Sequence, residues 1–167
     1  MQILIEIDKA KQIFKLHGKS ILEDKEISGL IKQYKKYIEH TWKTMETLKV
    51  TEICSKCAEI EPGGCCFQDV ETWYSDVQLL INMLMGVDIP MLRMYDNSCM
   101  FVGEKGCRLL SRNAFCINFL CDKIKKHVST GEINILNSSA GKEIDCGIRM
   151  ENAITKWLYQ KRKLTDE

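Results

Sequence analysis

The sequence predicts an all-α fold, a small helical bundle of about five helices, with a cysteine-rich region in the inter-helix loops. Three observations predict it. Apolar residues recur at steps of three and four, the spacing of one helix face. No alternating run of useful length and no hairpin dipeptide marks a strand pair. The 167 residues are 45% apolar and 28% charged, which suits one globular domain over 1–167 with a real core.

The elements follow in chain order. Ile3-Leu4-Ile5-Glu6-Ile7 alternates in part and allows a short strand. A helix over about 8–17 follows, with Asp8 as N-cap and Gly18 as the residue that ends it. Ile27, Leu30, Ile31, Tyr34, Ile38, Trp42, Met45 and Leu48 form the stripe of a long helix, roughly 24–50. Lys32, Lys35, Lys36 and Lys43 fall on its wet face. A third helix, about 69–85, carries Val70, Trp73, Tyr74, Val77, Leu80, Ile81 and Leu84, with Asp69 at its start and Gly86 and Pro90 past its end. A fourth spans about Ser111 to His127. A fifth, about 140–162, starts from Ser139 and uses Ile144, Ile148, Ile154 and Trp157. Ser129-Thr-Gly131 and Asn137-Ser-Ser139 read as turns.

Composition excludes several classes. Charges of 24 basic and 23 acidic residues leave a net +1, which argues against a nucleic-acid coat. The richest apolar run, Leu79 to Met85, is far short of the roughly 18 residues of a membrane span. The acidic start, Met1-Gln-Ile-Leu-Ile-Glu-Ile-Asp8, does not read as a signal peptide. A cytoplasmic setting is therefore expected. Phosphate-cradling glycine loops and a nucleophile elbow are absent from the sequence.

Cysteine is the anomaly. Eight of nine fall between 54 and 121: Cys54, Cys57, Cys65, Cys66, Cys99, Cys107, Cys116 and Cys121. The ninth, Cys146, lies in line with Met150, Ala153 and Trp157 and reads as core. The clustering defines a cysteine-cluster metal-binding region, 54–121, carrying five basic and eight acidic residues, a formal −3. Thiolates gathered in an acidic segment repel one another unless a cation joins them. A disulfide framework suits a small secreted chain, and inert buried thiols would scatter. Soft-metal ligation explains the cluster better.

Cys54-Ser-Lys-Cys57 can turn both sulfurs toward one ion or cluster. Glu61-Pro-Gly-Gly64 is a tight turn delivering Cys65-Cys66. Adjacent side chains diverge, so either one ligates while the other packs or the two serve different centres. Cys99 and Cys107 bracket a loop containing Gly103 and Gly106. If both were helical, Cys116 and Cys121 would lie about 140° apart and could not share one face. Structural zinc favours two compact knuckles, and only the first half is compact here. The dispersed second half suits an iron–sulfur cluster, of the four-iron, four-sulfur type, somewhat better than Zn.

The residues Cys54-x-x-Cys57, Gly64-Cys65-Cys66, Cys99-Met-Phe, Gly106-Cys107, Arg112 and Cys116 resemble the YkgJ-like cysteine-cluster family, the zinc- or iron-chelating CxxCxxCC proteins. The resemblance covers 54–121, under half of the chain. Seven residues stand between Cys57 and Cys65 where the family has two, and Met100 and Asn113 stand where it has prolines. The resemblance implies metal binding and, more loosely, iron–sulfur or oxidoreductase chemistry with a redox partner. Arg112 is a candidate to hydrogen-bond a ligating sulfur or a carboxylate. The alternatives are a zinc-stabilised binding module without catalysis and a thiol redox sensor using Cys65-Cys66. No catalytic base or nucleophile stands out beyond the cysteines, and nothing assigns an oligomeric state.

The remaining candidates have plainer readings. His17, His40 and His127 read as solvated or cap residues. Met83, Met85, Met91, Met94 and Met100 near the thiols could suggest copper(I), but methionine more often fills core gaps. Lys161-Arg-Lys163 suits the C-terminal end of a helix.

Overall fold

The computed structural model describes residues 2–60 and 64–165. The protein is all-α, as the sequence predicts. Its helices are α1 (Gln2–Glu23), α2 (Lys25–Thr47), α3 (Val50–Ile60), α4 (Asp76–Leu84), α5 (Ala114–Asn118), α6 (Asp122–His127) and α7 (Thr130–Thr165). A 3-10 turn covers Val70–Trp73, and a two-residue antiparallel ladder pairs β1 (Val102–Gly103) with β2 (Gly106–Cys107). The frame is α2 laid along α7 and α1 laid along α4. Ile7, Ile21, Ile27, Tyr34, Leu79, Leu80, Met150 and Ile154 are buried between them. Each such apolar side chain contributes about 1.5–3 kcal/mol by leaving water.

Several boundaries differ from the sequence expectation, each for a local reason. The run at 3–7, which allowed a short strand, is the first turns of α1, because Ile3, Ile7 and Ala10 lie on one helical face and are buried together. Asp8 is therefore mid-helix. Gly18 is also interior; a Cβ there would stand 3.0 Å from the Phe14 ring, so packing rather than termination explains it. Asp24 begins α2, its carboxylate accepting from Glu26 N and Ile27 N at 3.0 Å. The expected helix over 24–50 ends at Thr47, and Lys49 takes a left-handed φ of 57° before α3 starts.

The helix expected over 69–85 is two pieces. Asp69, at φ 78°, opens only the 3-10 turn; Ser75 caps α4 through a reciprocal box with Gln78. Gly86, at φ 89°, ends it as anticipated. The helix expected over 111–127 also breaks. α5 delivers Cys116 to the main core, whereas α6 delivers Ile124 to a second cluster with Val50, Val128 and Leu136. The extended link Phe119–Cys121 redirects the chain between the two. α7 starts ten residues earlier than expected. Ser129 and Glu132 bond reciprocally at its start, and Ser139 lies inside it, donating to Ile135 O at 3.1 Å. Leu136, Ser139, Ala140 and Glu143 continue one buried face, which overrides the turn chemistry of Asn137-Ser-Ser139.

One buried amide fixes the frame to the irregular wall. Asn82 of α4 accepts from Leu110 N and Ser111 N at 3.0 and 2.9 Å and donates to Ser111 O at 2.9 Å. Asn82→Leu leaves these groups unpaired without changing the volume much. The expected loss is about 3 kcal/mol, read as a lower urea midpoint at unchanged slope. A loss under about 1 kcal/mol would show that water replaces the amide.

Candidate functional site

Four local devices bring distant cysteines together. α3 carries Cys54 and Cys57 one turn apart, so these two are helical rather than in the irregular segment expected over 51–68. The stretch 64–69 runs beside 97–99: Cys99 N donates to Cys66 O at 2.8 Å, and Gln68 N to Asn97 O at 3.0 Å. The small ladder sets Val102 opposite Cys107 and needs Gly106 at φ 95°, a conformation that side chains rarely adopt. Asn113 caps α5 and so places Cys116. Cys116 is therefore helical, Cys121 is the N-cap of α6, and the 140° divergence expected for one helix does not apply.

Glu71 is the buried anchor of this wall, and the sequence did not single it out. Its side chain is 1% exposed, paired with the Arg93 guanidinium, and it accepts from Met100 N at 3.3 Å. Arg93 also donates to Ser98 O. One carboxylate thus holds the loop that carries Cys99. Tyr74 does the same for Cys116: its hydroxyl accepts from Asn113 N at 2.9 Å and hydrogen-bonds the Cys116 thiol.

Cys54, Cys65, Cys66, Cys99, Cys107 and Cys116 line one cavity of about 70 Å³. Trp42, Tyr74, Ile117, Phe119 and Arg112 complete much of its wall. Cys57 and Cys121 are not on that wall but stand near enough to Cys54 to act on its charge. Cys146 is apart, fully buried in α7 against the main core, as expected. Among the described residues, no three His, Cys, Asp or Glu side chains converge closely enough to hold a single ion. The thiols surround a space rather than close on a point.

Burial dominates their chemistry. It pushes Cys54 and Cys99 up to about 12 and Cys116 up to about 11, and raises Cys107. Cys65 is the exception: the Cys66 thiol donates to it and holds it down to about 6, which in turn drives Cys66 upward.

Arg112 is buried, not solvated. Its side chain is 4% exposed, and its guanidinium lies 4.5 Å from the Trp42 ring centre. Nη2 reaches Glu143 Oε1 at 3.5 Å and Nη1 reaches Met45 Sδ at 3.8 Å. Arg112 Nε and Glu143 Oε2 are buried without a hydrogen-bond partner among the described residues. The positive charge opposes the rise at Cys54, Cys107 and Cys116. Glu143 could have been noticed as a carboxylate in register with Leu136 and Ala140, had α7 been extended backward.

Other candidates lie elsewhere. His40 and His127 are exposed, and His17 meets Trp157 edge-on at 5.7 Å. Met85 and Met100 are core residues, whereas Met91 and Met94 are exposed. Lys161 lies over the Trp157 ring. Phe67, Trp73, Phe115 and Phe119 form a partly exposed chain of ring contacts beside the cavity. Among the described residues no helix is long and apolar enough to cross a membrane. Compared with known proteins, the chain matches no family model, no curated protein and no solved structure.

The uneven thiol chemistry has a direct readout. In reduced, metal-free protein, iodoacetamide should label Cys65 first, with a rate midpoint below the ordinary thiol value, while Cys54, Cys99 and Cys116 stay protected to beyond pH 10. Cys66→Ala should move the Cys65 profile up toward about 8.5, the ordinary thiol value. Site-resolved mass spectrometry checks both; uniform labelling of all four would contradict them.

Proposed function

We propose that the chain is a metal-binding cysteine-cluster protein, holding an iron–sulfur cluster that serves electron transfer or a redox reaction with a protein partner. The observation that carries this reading is six thiols around one cavity with a buried guanidinium on its wall. The donor set is soft and suits iron–sulfur or zinc. Its spread favours the larger group, since the ligands of a cluster bind different irons and stand apart, whereas one zinc ion needs four sulfurs at about 2.3 Å from a single point.

The residues present fit such a group. Cys54, Cys65, Cys66, Cys99, Cys107 and Cys116 supply more than the four thiolates it needs. Arg112 supplies a compensating charge and an unused Nε donor. When bound, the cluster would supply reversible one-electron chemistry. Tyr74 steadies Cys116, and Glu71 steadies the Cys99 loop. Phe119 lines the cavity and is 44% exposed, so the site lies one side chain from solvent, within reach of a partner. The reading fits a reducing, cytoplasmic setting. The alternative, a zinc-stabilised binding module, draws on the same thiols.

Anaerobic reconstitution with ferrous iron and sulfide tests this. The expected product is brown, with iron and sulfide in equal amounts. Cys99→Ser and Cys107→Ser should each lower the iron and sulfide bound, and Cys146→Ser should leave them unchanged. A colourless protein with stoichiometric zinc would favour the binding module instead. Arg112→Gln should lower the midpoint potential of the loaded protein by on the order of 60 mV, a tenfold change in a one-electron equilibrium, because a buried positive charge no longer favours the reduced state. An unchanged potential would place Arg112 outside the site.

A further inference from the structure

The eight clustered cysteines are more than one cluster or one zinc ion needs, and they are not equivalent in space. Cys54 and Cys121 pack against the second hydrophobic cluster, with Val50, Ile124 and Leu136. Cys66, Cys99, Cys107 and Cys116 pack in the main core. The electrostatic neighbours divide in the same way. The thiols close enough to act on Cys54 are Cys65, Cys121 and Cys57. Those acting on Cys66 are Cys65, Cys107 and Cys116, and those acting on Cys99 are Cys107 and Cys116. Cys65 acts on both Cys54 and Cys116, and its sulfur meets that of Cys66.

Backbone structure divides them a third time. Cys99 N bonds Cys66 O, the ladder carries Cys107 opposite Val102, and Tyr74 holds Cys116. The other group comes from two helices, with Cys54 and Cys57 on α3 and Cys121 at the start of α6, which packs on α3.

We propose that the chain carries two four-thiol centres rather than one, divided at the Cys65–Cys66 peptide: Cys66, Cys99, Cys107 and Cys116 hold one, and Cys54, Cys57, Cys65 and Cys121 hold the other. This rests on the reading above that the thiols bind a soft metal. It gives the adjacent pair a physical role. Adjacent thiols whose sulfurs meet can each ligate a different centre and so set the two centres side by side. Arg112 lies on the same cavity wall as Cys54 of one set and Cys107 and Cys116 of the other, and it acts on all three.

The test counts metal on paired variants. Wild-type protein is loaded anaerobically with ferrous iron plus sulfide, and a parallel sample with zinc; each is desalted and its metal per chain measured. With whichever metal is retained, Cys99→Ser/Cys107→Ser and Cys54→Ser/Cys121→Ser should each keep about half of the wild-type amount, with helical circular dichroism unchanged. The junction supplies a second comparison with little risk to folding. Adding Cys54→Ser to Cys65→Ser should remove no further metal, whereas adding Cys99→Ser to Cys65→Ser should remove the rest. Total loss of metal in Cys99→Ser/Cys107→Ser or in Cys54→Ser/Cys121→Ser, or no loss in either, overturns the division while leaving metal binding in place. Wild-type protein that retains neither iron nor zinc overturns the metal reading and the division together.

Discussion

Six thiols around a space of about 70 Å³ cannot ionise together without a cation among them. Two like charges a few ångströms apart repel by about 4 kcal/mol at the screening typical of a protein surface, and by more in a dry interior. Burial adds its own penalty at Cys54, Cys99, Cys107 and Cys116. Most of the thiols therefore rest protonated, Cys65 being the exception, with Arg112 as the positive charge on the cavity wall. Much of the irregular structure between α3 and α6 serves to keep those sulfurs in place without closing them together. The Glu71–Arg93 pair, the Asn82 amide and the Tyr74 hydroxyl each hold one strip of backbone that carries or flanks a cysteine.

The helical frame makes this possible because it is indifferent to the site. α2 and α7, and α1 and α4, bury their stripes against each other, with Cys146 as plain core among them. The thiol wall joins that frame through buried apolar residues such as Val70, Phe101, Val102 and Leu109, and a few buried polar groups fix its backbone. Such groups are costly to leave unpaired, so the wall is well defined while remaining poor in regular structure.

Helices with a sustained apolar period were legible in the sequence: α2 from Ile27 to Leu48, the stripe of α4, and the later part of α7. The errors came from single-residue signals. Gly18, Asp69 and Asn137-Ser-Ser139 each carry turn chemistry, yet a buried face running through α1 and α7 decided two of the three. The site was legible as a list of cysteines, because composition alone exposes clustering. Which sulfurs meet was not legible, since that depends on the 66–99 backbone bond, the two-residue ladder and the break at Phe119–Cys121. Glu71 and, without the earlier start of α7, Glu143 were missed for a related reason. A carboxylate on an apolar stripe looks like a surface residue until its partner, Arg93 or Arg112, is brought beside it from a distant loop.

The Arg112–Glu143 pair shows how the frame and the wall are linked. At 3.5 Å, with Arg112 Nε and Glu143 Oε2 both unpaired, it lacks the two short parallel bonds of a strong guanidinium–carboxylate contact. A buried pair of this quality is a weak source of stability, because desolvation offsets most of the attraction. Its geometry makes better sense as a divided allegiance. Trp42 supports the guanidinium from one face, Glu143 draws it toward α7, and the cavity lies alongside with thiols that favour it only when ionised. Burial pushes Glu143 up while Arg112 pulls it down. Negative charge placed in the cavity would therefore compete with Glu143 for the same cation.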